Sequence, residues 1–134
     1  MVVLMVAGLL TWRAGEKIAA LAWMRSLTDE QVRSIRVGGG TIAKPDDVRA
    51  VVEALRHSTW LAIEHSCQGP AVPMVINLTD GGQRRLWPAF NSCLGGVVLN
   101  LSDIRAGGRY RGALYSRQLG GLLDERRLQQ FRRE

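Results

Sequence analysis

Lysine is almost missing from this chain: Lys17 and Lys44 are the only two, in a Lys plus Arg total of 18. Against 12 Asp and Glu the formal charge is +6, so the positive excess is carried by arginine. Such an excess favours anionic partners such as nucleic acid, acidic headgroups or acidic proteins. The arginines are scattered and form no single basic run, so they select no one partner; a solvated basic surface accounts for most of them.

Cysteine is equally scarce. Cys67 and Cys93 are too few for a disulfide scaffold and too far apart for a zinc ribbon or a redox pair. In an exported domain they would form one bridge; in a reducing compartment they would be small buried hydrophobes. Only His57 and His65 supply imidazole. Together with Glu64 and Cys67 they offer good zinc ligands, but at no standard spacing, so an ordinary loop is the simpler reading. A Cys67 or Cys93 nucleophile with a His57 or His65 base lacks any visible register of base and oxyanion donors. Asp46-Asp47, Asp80 and Asp124-Glu125 have helix-start, turn and tail roles. No catalytic, cofactor or metal residue is therefore assigned.

No apolar run reaches the ~20 residues that span a bilayer. "MVVLMVAGLLTW" (Met1 to Trp12) would extend only about 18 Å as a helix, and it lacks the basic head of a signal peptide. Two expectations remain. Met1 is internal to a longer, here truncated, membrane anchor, or residues 1–24 form a helix that lies on a membrane or packs on its own domain. Trp12 and Trp23 suit a membrane–water boundary, and after Arg13 the apolar side of the helix is expected at Ile18, Leu21 and Ala22. Arg13, Lys17 and Arg25 follow the apolar run, which by the positive-inside tendency favours a cytoplasmic domain.

Beyond this start, "VRSIRVGGGTIAKPDDVRAVVEAL" (Val32 to Leu55) has the outline of a phosphate cradle. Ile35 and Val37 alternate with Ser34 and Arg36 as in a half-buried strand. Pro45 fits a first helical position, and Asp46 and Asp47 suit the positive end of the helix dipole. Val48, Val51, Val52 and Leu55 then form one apolar stripe. Two carboxylates at the helix start repel phosphate, and the spacings G-x-G-x-x-G and G-K-[ST] are absent. The triple glycine is expected to be a flexible connection or a bulge.

"RHSTWLAIEHSCQGPAVP" reads as a loop. "MVINLTDGGQRRLW" reads as a hairpin with Met74, Ile76, Leu78 and Leu86 inward and Asp80-Gly81-Gly82 at the turn; Pro88 is expected to end it. "VVLNLS" supplies a further strand with Val97, Leu99 and Leu101 inward. "RAGGRYRGALYSRQLGGLLDERRLQQFRR" begins as a loop, becomes a helix carrying Leu119, Leu122 and Leu123, and ends in a frayed basic tail. Asn77 and Asn100 fit the glycosylation acceptor pattern, inside expected strands.

The expected fold is α+β: an N-terminal apolar helix, then β-α-β-β-β-α, an antiparallel sheet with one helix on its face. The expected divisions are an apolar helix over 1–27, the domain over 28–125 and a basic tail over 126–134.

The strand "SIRV", the helix "AKPDDVRAVVEAL", the loop ending at Pro73, "VINLTDGG" and "YRGALYSRQLGGLL" resemble small bacterial membrane-anchored or lipoprotein-like domains of uncharacterised function. The likeness covers Ser34 to Leu123 and implies an extracytoplasmic α+β domain. No cysteine stands near residue 1 for lipid attachment, and no functional residue is carried over.

The functional expectation is a membrane-associated, non-enzymatic module, held to the membrane through residues 1–24, that binds a protein or envelope component. Its rival is nucleic-acid binding by a surface of Arg84, Arg85 and Trp87 with Arg109, Tyr110 and Arg111, where stacking aromatics would join basic groups.

Overall fold

The computed structural model of this 134-residue chain describes residue 15 and residues 18–61, 67–101 and 113–133. Its strands are β1 (Val32–Val37), β2 (Gly40–Ile42), β3 (Thr59–Trp60), β4 (Met74–Leu78), β5 (Gln83–Asn91), β6 (Gly96–Asn100) and β7 (Ala113–Ser116). The helices are α1 (residues 18–26), α2 (Pro45–Arg56), α3 (Arg117–Leu122) and α4 (Glu125–Arg133). The strands form one 7-stranded sheet in the order β2-β1-β4-β5-β6-β7-β3, with every pair antiparallel.

The class is the expected α+β, but the sheet is wider than expected and is covered by more than one helix. β2 forms a hairpin with β1, so the triple glycine is neither a bulge nor a loose connection. Gly38 and Gly39 are its two loop residues, and Gly38 takes φ +57, the left-handed backbone that glycine supplies to a two-residue hairpin turn. The second hairpin, β4–β5, turns at Asp80-Gly81-Gly82, where the Gly82 N–H donates to Asp80 Oδ1 at 2.7 Å and Gly81 takes φ +89.

β5 does not stop at Pro88; it runs on to Asn91 between β4 and β6. A central proline is tolerated here because its missing donor faces the segment before β4, which is itself irregular. Val72 N–H donates to the Pro88 carbonyl and Gly69 N–H to the Phe90 carbonyl, so residues 69–72 prolong β4 without a full ladder.

Cross-strand register divides the sheet into two faces. Ile35, Val37, Ile42, Met74, Ile76, Leu86, Val97, Leu99 and Leu114 share the face that carries the core. All four helices and their flanks add to it: Met24 and Leu27, Val48 to Leu55, Leu119 and Leu123, and Leu128. α2 meets the expectation in full, from Pro45 at its start to its buried stripe of Val48, Val51, Val52 and Leu55. It crosses that face from the β2 edge to the β3 edge. The register of α1 differs from expectation. Met24 and Leu27 are fully buried with Ala20, Leu21 and Trp23 packed beside them, while Ile18 and Ala22 point outward.

The residues read as a frayed basic tail form α4. Asp124 Oδ1 accepts the Arg127 N–H at 2.8 Å, an N-cap, and Leu128 is buried. At the other end of this helix the Phe131 carbonyl, which has no intrahelical partner, accepts the Gly39 N–H at 3.0 Å. A Cβ on Gly38 would lie 2.5 Å from that same carbonyl oxygen. The glycine turn is thus the seat of the C-terminal helix.

The second face of the sheet is open on β2, β1 and β4 and closed further along. Ala89, Val98 and Ala113 are fully buried there. The Tyr115 ring lies over Gly96, where a Cβ would come within 2.5 Å of its hydroxyl, and Tyr115 donates to the Leu94 carbonyl. Asn100 is buried, with its amide donating to the Trp87 carbonyl, and Asn77 is engaged by Ser34 and Gln83; neither is presented as a glycosylation acceptor. Residues 1–14, which hold most of the expected apolar helix, lie outside the described residues. Among those described, no helix is long and apolar enough to cross a membrane.

Candidate binding cleft and basic sheet face

Of the surface expected to combine arginine and aromatic side chains, Arg109, Tyr110 and Arg111 lie outside the described residues. The other three do not act together. Successive residues of a strand face opposite ways. Arg84 pairs with Ile76 and so sits on the core face, where its guanidinium carbon lies 5.2 Å from the centre of the Trp23 ring. Arg85, which pairs with Val75, and half-buried Trp87 belong to the outer face. Trp23, expected at a membrane boundary, is instead partly buried against the domain beneath Arg84.

Cys67 and Cys93 are joined by a disulfide, with Cα atoms 5.7 Å apart. It holds the chain at residue 67 against the β5–β6 turn. Around it Ser92 N–H donates to the Cys67 carbonyl, and Asn91 Oδ1 accepts the N–H groups of Cys93 and Leu94. No free thiol remains in the chain for a nucleophile or a metal ligand. Glu64 and His65 lie outside the described residues. His57 is exposed at the end of α2, where its Nδ1 lies 2.8 Å from the Glu53 carbonyl oxygen. Among the described residues no group of three or more His, Cys, Asp or Glu is placed to hold a metal ion.

A cleft opens on the core side, where α1 meets β5. It measures about 390 Å³ and is lined by Ala19, Ala20, Trp23, Met24, Arg84, Arg85, Leu86 and Leu101. Its origin is legible in the topology. β6 ends at Asn100, opposite Trp87, so among the described residues Gln83 to Leu86 have a strand neighbour only on the β4 side. Because Pro88 directs its carbonyl to that side, alternation along an antiparallel strand turns the N–H and carbonyl of Arg85 toward the open edge. α1 stands over this edge and presents alanines, at Ala19 and Ala20, where larger side chains would close the gap.

The electrostatics of the cleft are one-sided. Strands β1 to β7 hold Arg33, Arg36, Arg84 and Arg85 and no carboxylate. Arg49, by contrast, pairs with Asp29 at 3.2 Å and Asp46 at 3.7 Å. Among the described residues no carboxylate pairs with Arg84 or Arg85. The cleft therefore combines apolar side chains (Trp23, Leu86, Leu101) with a guanidinium that no described carboxylate pairs and a strand amide at its rim. Sequence reading missed it; the available signal was alternation in "QRRLW", which forbids Arg84 and Arg85 from sharing a face.

The outer face offers a second, flatter surface. Arg36 and Arg85 flank Val75 across β1, β4 and β5, about 10 Å apart at ~4.8 Å per strand. Beside them a ladder of side chains runs across the same strands: Gln83 Nε2 donates to Asn77 Oδ1 at 2.8 Å, and Asn77 Nδ2 to Ser34 Oγ at 3.1 Å. Compared with known proteins, the chain matches no family model, no curated protein and no solved structure.

Proposed function

We propose that this protein is a non-enzymatic binding module that works at a membrane surface, in an oxidising compartment, with the cleft between α1 and β5 as its ligand site. The cleft carries the reading: it falls within the ~300–1,000 Å³ range of small-molecule sites. It also lies on the first described helix after the apolar stretch Met1 to Trp12, and that helix leaves Ile18 59% exposed. The Cys67–Cys93 bridge supports an extracytoplasmic setting, because structural disulfides persist where glutathione does not reduce them. The arginine and lysine positions after the apolar run argue for the other side. The bridge outweighs them, since translocation of whole domains depends little on scattered charge. Fractionation of cells expressing the full chain tests the reading. Recovery with membranes and release by detergent are expected, and complete recovery in the soluble fraction contradicts it.

A second reading is favoured by the outer face, whose strands carry no carboxylate and where Arg36 and Arg85 and the Ser34–Asn77–Gln83 ladder could hold a nucleic-acid backbone. It requires binding that falls steeply with added salt. Retention on a polyanion column no stronger than that of a charge-matched control protein would count against it.

A further inference from the structure

Resting on that reading, we infer that the cleft holds an anionic amphiphile, with its apolar part between α1 and β5 and its acidic head on Arg84. The lining sets the chemistry. The cleft is lined by Trp23, Met24, Leu86 and Leu101 together with Arg84 and Arg85, so it offers apolar and polar surface side by side, the pairing an amphiphile needs. At the rim the Arg84 guanidinium rests over Trp23 and makes no ion pair with a carboxylate among the described residues. A cation–π contact of this kind holds the charge in place while leaving N–H donors for an anion. The Arg85 main-chain N–H, turned to the side of β5 that has no strand neighbour among the described residues, supplies a further donor within the same rim.

A free carboxylate or phosphate on a hydrocarbon chain satisfies both halves of the site. A cationic amphiphile satisfies only the apolar half, and inorganic phosphate only the polar half.

The test uses the full chain, with calorimetric titration by dodecanoate below its micelle concentration. Dodecyltrimethylammonium and inorganic phosphate serve as comparison probes. One-to-one saturable binding of dodecanoate is expected, at least about tenfold tighter than the cationic probe, the factor that one charge-assisted hydrogen bond supplies. Phosphate should not bind in the same range. Arg84→Gln should remove the preference for the anion, whereas Arg36→Gln, which deletes the same charge from the outer face, should leave it intact. Ala19→Phe fills the mouth of the cleft from an exposed helix position and should abolish binding by all chains. Should that variant unfold, Ala19→Leu with an unchanged thermal transition serves in its place.

Absence of saturable dodecanoate binding overturns the inference, as does equal binding of the two charged probes or an effect of Arg36→Gln equal to that of Arg84→Gln. Membrane recovery of the full chain separates the two claims. If the chain fractionates with membranes but takes no dodecanoate, the ligand assignment falls and the membrane reading stands.

Discussion

Replacing Gly38 by alanine tests the seat of the C-terminal helix. Two costs combine at this position. The backbone sits at φ +57, where an L side chain costs about 1–2 kcal/mol. The added methyl would also lie 2.5 Å from the Phe131 carbonyl oxygen and 2.9 Å from its carbon, which are main-chain atoms of α4 and cannot rotate aside. Either the turn or the helix must move, and the Gly39 N–H to Phe131 carbonyl bond is lost, for about 1 kcal/mol more. The total is about 3 kcal/mol, or roughly 10 °C in the thermal midpoint of a domain of this size. Gly81→Ala is the internal control. It shares the positive φ, at +89, but its added methyl meets nothing within 4 Å. It should cost only the backbone part, about 1–2 kcal/mol. Thermal and urea unfolding of both variants gives the comparison, and amide exchange at Gly39 should accelerate only in Gly38→Ala. Equal losses in the two variants would refute the docking of α4 on the hairpin.

Other consequences follow from the same packing. Gly120→Ala should destabilise by about 2–3 kcal/mol in chemical unfolding, because its methyl would lie 2.7 Å from the Gly96 Cα and lift α3 off β6. Replacing both cysteines by serine should cost about 3.5 kcal/mol, the loop-closure value for a sequence separation of 26, and an unchanged denaturation midpoint would contradict a closed bridge. Arg49→Ala removes exposed ion pairs to Asp29 and Asp46 and should cost less than about 1 kcal/mol, a loss that high salt erases.

How far the fold could be read from the sequence depended on how many residues each element had in which to show its period. α2 was legible because twelve residues carry a proline start, two acids and a four-member stripe. The β4–β5 hairpin was legible from Asp80-Gly81-Gly82 between alternating runs. β2 and β3 are too short to show alternation, and the β7 sequence "ALYS" runs straight into α3, so it was absorbed into a helix. α4 was missed because Leu128 and Phe131 are thin apolar signals in "ERRLQQFRR"; its stability comes from the Asp124 cap and the glycine seat, and the seat is a tertiary contact. In α1 only Leu21 of the expected Ile18, Leu21 and Ala22 packs against the core, beside buried Met24, while Ile18 and Ala22 point outward. The expected cluster of Arg84, Arg85 and Trp87 failed on strand alternation alone. The cleft was not legible, since it depends on where β6 stops relative to β5, a register that exists only after pairing.

The most direct test of the cleft as the ligand site is amide chemical-shift mapping of the labelled full chain titrated with dodecanoate. Shifts confined to Ala19 through Met24, Arg84 through Leu86 and Leu101 are the expected result, with Arg36, Asn77 and Gly38–Gly40 unmoved. Shifts centred on Arg36 and Asn77, or none anywhere, would contradict it.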